Sequence, residues 1–160
     1  MYNILRLVLR LLSLIYMIFI WLQSSYFNPG LIVESSSYTI NNSLVLIIGI
    51  CLELTHLFEF GILYFLLFLA FLSFGEIGKL KNRIAIFISL LYGLIDEIHQ
   101  IYVPFRSFSL DDLIKDAIGI LVIWWIVRKH NFLCQTTRLG LFLKKVEQKA
   151  KKDKSGVFLN

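Results

Sequence analysis

Apolar stretches long enough to cross a bilayer fill most of the first 130 residues, and three ionisable clusters fall inside them. These are His56 with Glu59, Asp96-Glu97-Ile98-His99-Gln100, and Asp112 with Asp116. Hydrocarbon accepts such groups only where they are paired or wetted. It also offers the backbone no hydrogen bonds, so only helices or closed barrels satisfy a chain inside it. Composition points the same way: 58% hydrophobic residues, 15% aromatics and a mean hydropathy of +0.74 exceed what a soluble 160-residue domain can hide.

The chain therefore reads as an all-α polytopic membrane helix bundle with four transmembrane helices plus an interfacial or re-entrant helix. The first span runs from about Ile4 to Leu22. Arg6 and Arg10 resemble the charged start of a signal peptide, yet no small-x-small cleavage site follows, which favours an uncleaved helix. Ser43 to Phe74 is apolar for about 32 residues, roughly 48 Å of helix against a ~30 Å hydrocarbon core. Such a helix must break or protrude. A break is expected near Glu53 to Thr55, leaving Leu54 to Ser73 as the second span and Leu44 to Leu52 as the interfacial or re-entrant piece. Ile84 to about Ile101 and Leu113 to Val127 supply the third and fourth spans. Residues 1–130 then form the transmembrane domain, and 131–160 a basic cytoplasmic tail, amphipathic first and disordered from Lys151.

Lysines and arginines set the orientation. They precede the first span (Arg6, Arg10), join the second to the third (Lys79, Lys81, Arg83) and fill the tail, whereas Gln23 to Glu53 has none and Tyr102 to Asp112 only Arg106. Both termini belong in the cytoplasm. Gln23 and Ser24 then end the first span on the outer side, where His56 and Glu59 open the second, Asp96 to Gln100 close the third, and Asp112 and Asp116 open the fourth. At about 100° per residue, each of the pairs His56/Glu59, Asp96/Gln100 and Asp112/Asp116 shares one helix face. Asp96, His99 and Gln100 are expected to face the bundle, with Glu97 turned towards a neighbour or the Arg106 loop. Arg106 is the expected partner of Glu97 or Asp112, and His56 or His99 that of Asp96 or Asp116. An acid near the middle of a membrane helix costs about 2.5–3.5 kcal/mol on insertion scales, while an interhelical hydrogen bond returns only about 0.6 kcal/mol. That imbalance favours a ligand, ion or catalytic role over structural glue.

In the tail, Leu139, Leu141, Phe142, Leu143 and Val146 interleave with Lys144, Lys145, Lys149, Lys151 and Lys152, a pattern suited to a helix on anionic lipid. The positive-inside bias accounts for the net charge of +5, and no nucleic-acid fold signature is present, so no nucleic-acid partner is expected. Cys51 and Cys134 fall on opposite membrane sides in this topology and read as apolar residues.

Tyr92 to Gln100, followed by Val103-Pro104-Phe105-Arg106-Ser107-Phe108-Ser109-Leu110-Asp111-Asp112 and Asp116-Ala117-Ile118-Gly119, resembles the signature of VanZ-like membrane proteins. That signature has a tyrosine, an Asp-Glu-x-x-Gln core, a Pro-Gly-Arg turn and an Asp-rich start to the last helix. Gln23-Ser24-Ser25 and His56-Leu57-Phe58-Glu59-Phe60 are similar to the family's serine-rich exit and His-x-x-Glu-Tyr pattern. Phe105 stands in place of the turn glycine, and Phe60 in place of the tyrosine. The family is associated with resistance to glycopeptides of the teicoplanin type and with the bacterial envelope.

The resemblance implies a multi-pass protein of the bacterial plasma (inner) membrane. Its extracytoplasmic pocket would recognise or act on an envelope lipid or glycan, with the bilayer as its other partner. Two alternatives stay open: a membrane-embedded hydrolase or transferase, in which a divalent cation is the cofactor that the acids and histidines would admit, and a proton- or ion-coupled carrier. No cofactor motif is recognised. The candidate pocket comprises Gln23, Ser24, His56, Glu59, Asp96, Glu97, His99, Gln100, Arg106, Asp112 and Asp116.

Overall fold

A computed structural model describes residues 2–26, 42–104, 106–129 and 138–157. The connection after the first helix, Phe105 and the side chain of His56 lie outside the described residues. Among those described there are five helices and no strand: α1 Tyr2–Tyr26, α2 Asn42–Leu72, α3 Lys79–Gln100, α4 Leu110–Arg128 and α5 Arg138–Val157. By length and composition one of them, over Ile4–Tyr26, can cross a membrane, and Leu57–Leu72 forms a shorter apolar stretch.

α2 is the central element, with α1, α3, α4 and α5 all packed on it and α4 most extensively. Its second half is accordingly apolar on every side, with Phe60, Leu63, Tyr64, Phe68 and Leu72 fully buried. The break expected near Glu53 to Thr55 is absent. α2 runs unbroken for 31 residues, so Leu44 to Leu52 is its first part rather than a separate interfacial or re-entrant helix. The segment holds no proline, and Glu53-Leu54-Thr55 leaves every i to i−4 backbone bond available. The helix stops at a turn in which Gly75 adopts φ 115°, and its N–H donates to Leu72 O at 3.0 Å.

α3 and α4 invert the polarity of a water-soluble helix. α3 buries Ala85, Ser89, Gly93, Asp96, Glu97 and Gln100, yet exposes Phe87, Leu90, Leu91, Leu94, Ile95 and Ile98. α4 buries Asp116 and Gly119 beside Ile120 and Val127, and exposes Ile114, Ile118, Leu121, Val122 and Trp125. α1 buries a narrow stripe of Leu9, Ser13, Ile20 and Ser24, while apolar residues cover the rest of its surface. α4 begins at Ser109, whose hydroxyl accepts the Asp112 N–H at 3.2 Å, and Asp111 and Asp112 favour the positive end of the helix dipole. α5 packs Leu143 and Val146 into the core and continues to Val157, past the expected end at Lys151.

α2 and α4 meet backbone to backbone. A Cβ on Gly119 would overlap the Leu57 carbonyl, and one on Gly61 would lie 2.9 Å from Ile123 Cγ1 and 3.0 Å from the Gly119 carbonyl oxygen. Gly119→Ala must therefore push the two helices apart. It is expected to lower the stability of the detergent-solubilised protein by about 1–3 kcal/mol, the usual cost of overpacking, with a matching fall in melting temperature. Gly61→Ala, whose nearest backbone neighbour is still 3.0 Å away, should cost less.

Candidate functional site

One end of the bundle, where α3 leads into α4 and α1 terminates, collects most of the polar groups. Asp96, Glu97 and Gln100 lie in the last turns of α3, Asp116 in the second turn of α4, Glu59 on α2, and Ser24 at the end of α1, all buried. Glu97 and Asp116 are the most enclosed acids, 0% and 1% exposed.

Four contacts define how these groups are held. Gln100 Nε2 donates to Asp96 Oδ2 at 2.8 Å, a bond between residues one helical turn apart on the same face. Gln23 Nε2 donates to Glu59 Oε2 at 3.2 Å, tying α1 to α2. The Ser109 N–H donates to Glu97 Oε2 at 2.9 Å, so one carboxylate fixes the entry of α4 against the end of α3. Ser25 Oγ sits 2.9 Å from His99 Nε2 and 2.7 Å from the Trp21 carbonyl. The hydroxyl donates to that carbonyl and shares a hydrogen bond with the His99 ring nitrogen. The same ring stacks on Trp21 with centroids 3.8 Å apart.

Asp116 reaches the site because α3 has a glycine opposite it. A methyl group at Gly93 would lie 3.2 Å from Asp116 Oδ2 and 3.5 Å from the Phe60 ring, so any larger residue would displace the carboxylate. Asp96 Oδ1 and Ser24 Oγ are buried without a hydrogen-bond partner among the described residues. A group left in that condition costs about 1–3 kcal/mol, more where it is charged. Beside the acids, an open cleft of about 400 Å³ runs between α1 and α2, lined by Tyr16, Leu54, Phe58 and Ile62 with Gln23, Thr55 and Glu59.

Of the sequence candidates, Gln23, Ser24, Glu59, Asp96, Glu97, His99, Gln100 and Asp116 share this end of the bundle. The backbone of His56 lies on α2 one turn before Glu59. Arg106 is half-buried in the connection, where its N–H donates to the Val103 carbonyl at 3.2 Å. Asp112 is ion-paired at 2.9 Å with Lys115 of its own helix. His99 engages Trp21 and Ser25 on α1 instead of an acid. Trp21, Ser25 and Gly93 were not among the candidates, although each stands beside one in sequence or matches the small-residue signal of close helix packing. Among the described residues no three of His, Cys, Asp and Glu are placed to hold a metal ion together.

No curated protein and no solved structure matches the chain. The sequence model of one family, VanZ/LLP1, matches residues 7–133 and so takes in α1 to α4 with the whole polar end. The signature residues from Tyr92 to Gly119 lie inside that match, and the chain belongs to the VanZ/LLP1 family.

Proposed function

We propose that this chain is a multi-pass protein of the bacterial plasma membrane whose polar end faces outwards and binds an amphiphilic component of the envelope, a lipid carrying a hydroxyl-rich or glycan headgroup. The observation that carries this reading is the inverted polarity of α3 and α4, which bury Asp96, Glu97, Gln100 and Asp116 while presenting leucine and isoleucine outwards. In water that arrangement would waste the hydrophobic effect on both counts, whereas in lipid each outward side chain is solvated by its equals. On this reading α1, α3, α4 and the apolar part of α2 cross the bilayer. The basic connections support a topology with both termini in the cytoplasm.

The acids support binding because mutual hydrogen bonds alone return too little for burying so many carboxylates. The adjoining cleft supports an amphiphile. Its Leu54, Phe58 and Ile62 wall suits an alkyl chain, and the Gln23–Glu59 pair at its polar edge suits a hydrogen-bonding head. Family membership adds lowered susceptibility to glycopeptides of the teicoplanin type as the phenotype to examine.

Two measurements test this reading. Reporter fusions should show phosphatase activity when inserted after Pro104, and green fluorescence when placed after Glu76 or at Asn160; the reverse pattern would remove the outward-facing site. In cells whose glycopeptide susceptibility depends on the protein, Asp96→Asn and Gln100→Ala should abolish the phenotype at unchanged membrane abundance. Binding of the envelope lipid should weaken by about 10- to 100-fold, the loss of one hydrogen bond to a charged group. Wild-type behaviour of both variants would leave the buried acids with a structural role only.

A further inference from the structure

At the opposite end of the bundle, where α3 begins and α4 ends, lies a second cavity of about 720 Å³, within the ~300–1,000 Å³ range of small-molecule sites. Ile77, Ile86 and Trp124 form its apolar wall, and Lys79, Asn82, Arg83 and Arg128 its polar one. Donors predominate on this polar wall. Lysine and arginine carry no acceptor. Asn82 Oδ1 already accepts the Tyr64 hydroxyl at 2.7 Å, which leaves its amide NH2 to bond elsewhere. The Trp124 indole nitrogen is buried with no hydrogen-bond partner among the described residues, and the Arg128 guanidinium carbon sits 5.3 Å over the same ring.

The positive charge is not neutralised locally. Among the described residues no carboxylate pairs with Lys79, Arg83 or Arg128, and the Lys115–Asp112 bridge belongs to the other end of α4. Lys81 turns away and donates to the Glu76 carbonyl at 2.9 Å. α3 starts at Gly78 without a side-chain cap, so its first N–H groups add partial positive charge to the same rim.

A cavity ringed by donors and carrying three cations complements an anion with several oxygens, and a phosphate ester has that form. We propose that this cavity holds the phosphate of an acidic phospholipid headgroup. A lipid fits better than a soluble phosphate because Phe87, one turn beyond Arg83 on α3, and Trp125 and Leu121, one and two turns before Arg128 on α4, are exposed apolar residues that suit acyl chains. Basic recesses between membrane helices on the cytoplasmic side are where acidic headgroups settle. The assignment to the inner leaflet rests on the membrane reading above; the anion chemistry does not.

The test uses the full-length protein in a neutral detergent, titrated with phosphatidylglycerol, with uncharged diacylglycerol and with glycerol 3-phosphate, the bound molecules being counted by native mass spectrometry. Phosphatidylglycerol should bind, and Arg83→Gln and Arg128→Gln should each weaken it by about tenfold or more. Lys145→Gln on α5 should leave it unchanged. Diacylglycerol should bind alike to all variants. Equal phosphatidylglycerol binding by the wild type and an Arg83→Gln/Arg128→Gln double variant would overturn the site. Pocket-dependent binding of glycerol 3-phosphate without that of phosphatidylglycerol would overturn the lipid as its source. Release of the protein from membranes by alkaline carbonate would count against the membrane reading alone, because the detergent titration reads the anion site directly.

Discussion

The contact on which the polar end depends is the crossing of α2 and α4 at Gly119, where the α4 backbone lies directly on the Leu57 carbonyl. Only at that separation does Asp116, one turn earlier on α4, come level with Gly93 of α3 and Phe60 of α2. Close approach of this kind needs small residues on the contact face, because lipid supplies no hydrophobic drive and dispersion must hold the helices together. Gly61, Gly93 and Gly119 occupy the three facing positions, one on each of α2, α3 and α4.

Onto this close-packed trio α1 is attached by polar clips. Tyr92 Oη donates to the Met17 carbonyl at 2.6 Å, Gln23 meets Glu59, Ser25 meets His99, and Arg10 Nε donates to Ser73 Oγ at 3.1 Å while lying 3.6 Å over the Phe74 ring. Most of the α1 surface touches no other helix. The cleft between α1 and α2 is therefore bounded on one side by a helix held by these directional bonds together with a narrow apolar stripe, Leu9 and Ile20 with Tyr16 and Met17.

Much of this was legible in the sequence. Apolar periodicity and the basic connections locate α1, α3 and α4 to within a few residues, and the i, i+4 spacing of Asp96 and Gln100 predicts a shared face that ends in a hydrogen bond. The pairings between helices were not legible. Whether His99 meets an acid or Trp21 depends on the rotation of α3 against α1, and helical period alone does not fix that angle. Glu97, set 100° from Asp96 and expected to turn towards a neighbour or the Arg106 loop, accepts the Ser109 N–H of that connection and is fully enclosed there. The expected break in α2 erred for a different reason. It followed from membrane thickness, a property of the solvent, while the backbone between Glu53 and Thr55 has nothing in it that ends a helix.

That unbroken α2 has a mechanical consequence. At about 46 Å it exceeds a ~30 Å hydrocarbon layer by several turns, and the excess is Leu-, Val- and Ile-rich at Leu44 to Ile48. In a bilayer such a rod must lean or stretch the surrounding lipid, at fractions of a kcal/mol for each Å of misfit. Thin membranes would tilt it further and thick ones let it stand, and both Leu57 and Glu59 ride on it. If α2 spans the bilayer as proposed, lipid length would act as a lever on where Glu59 sits against the acids of α3 and α4.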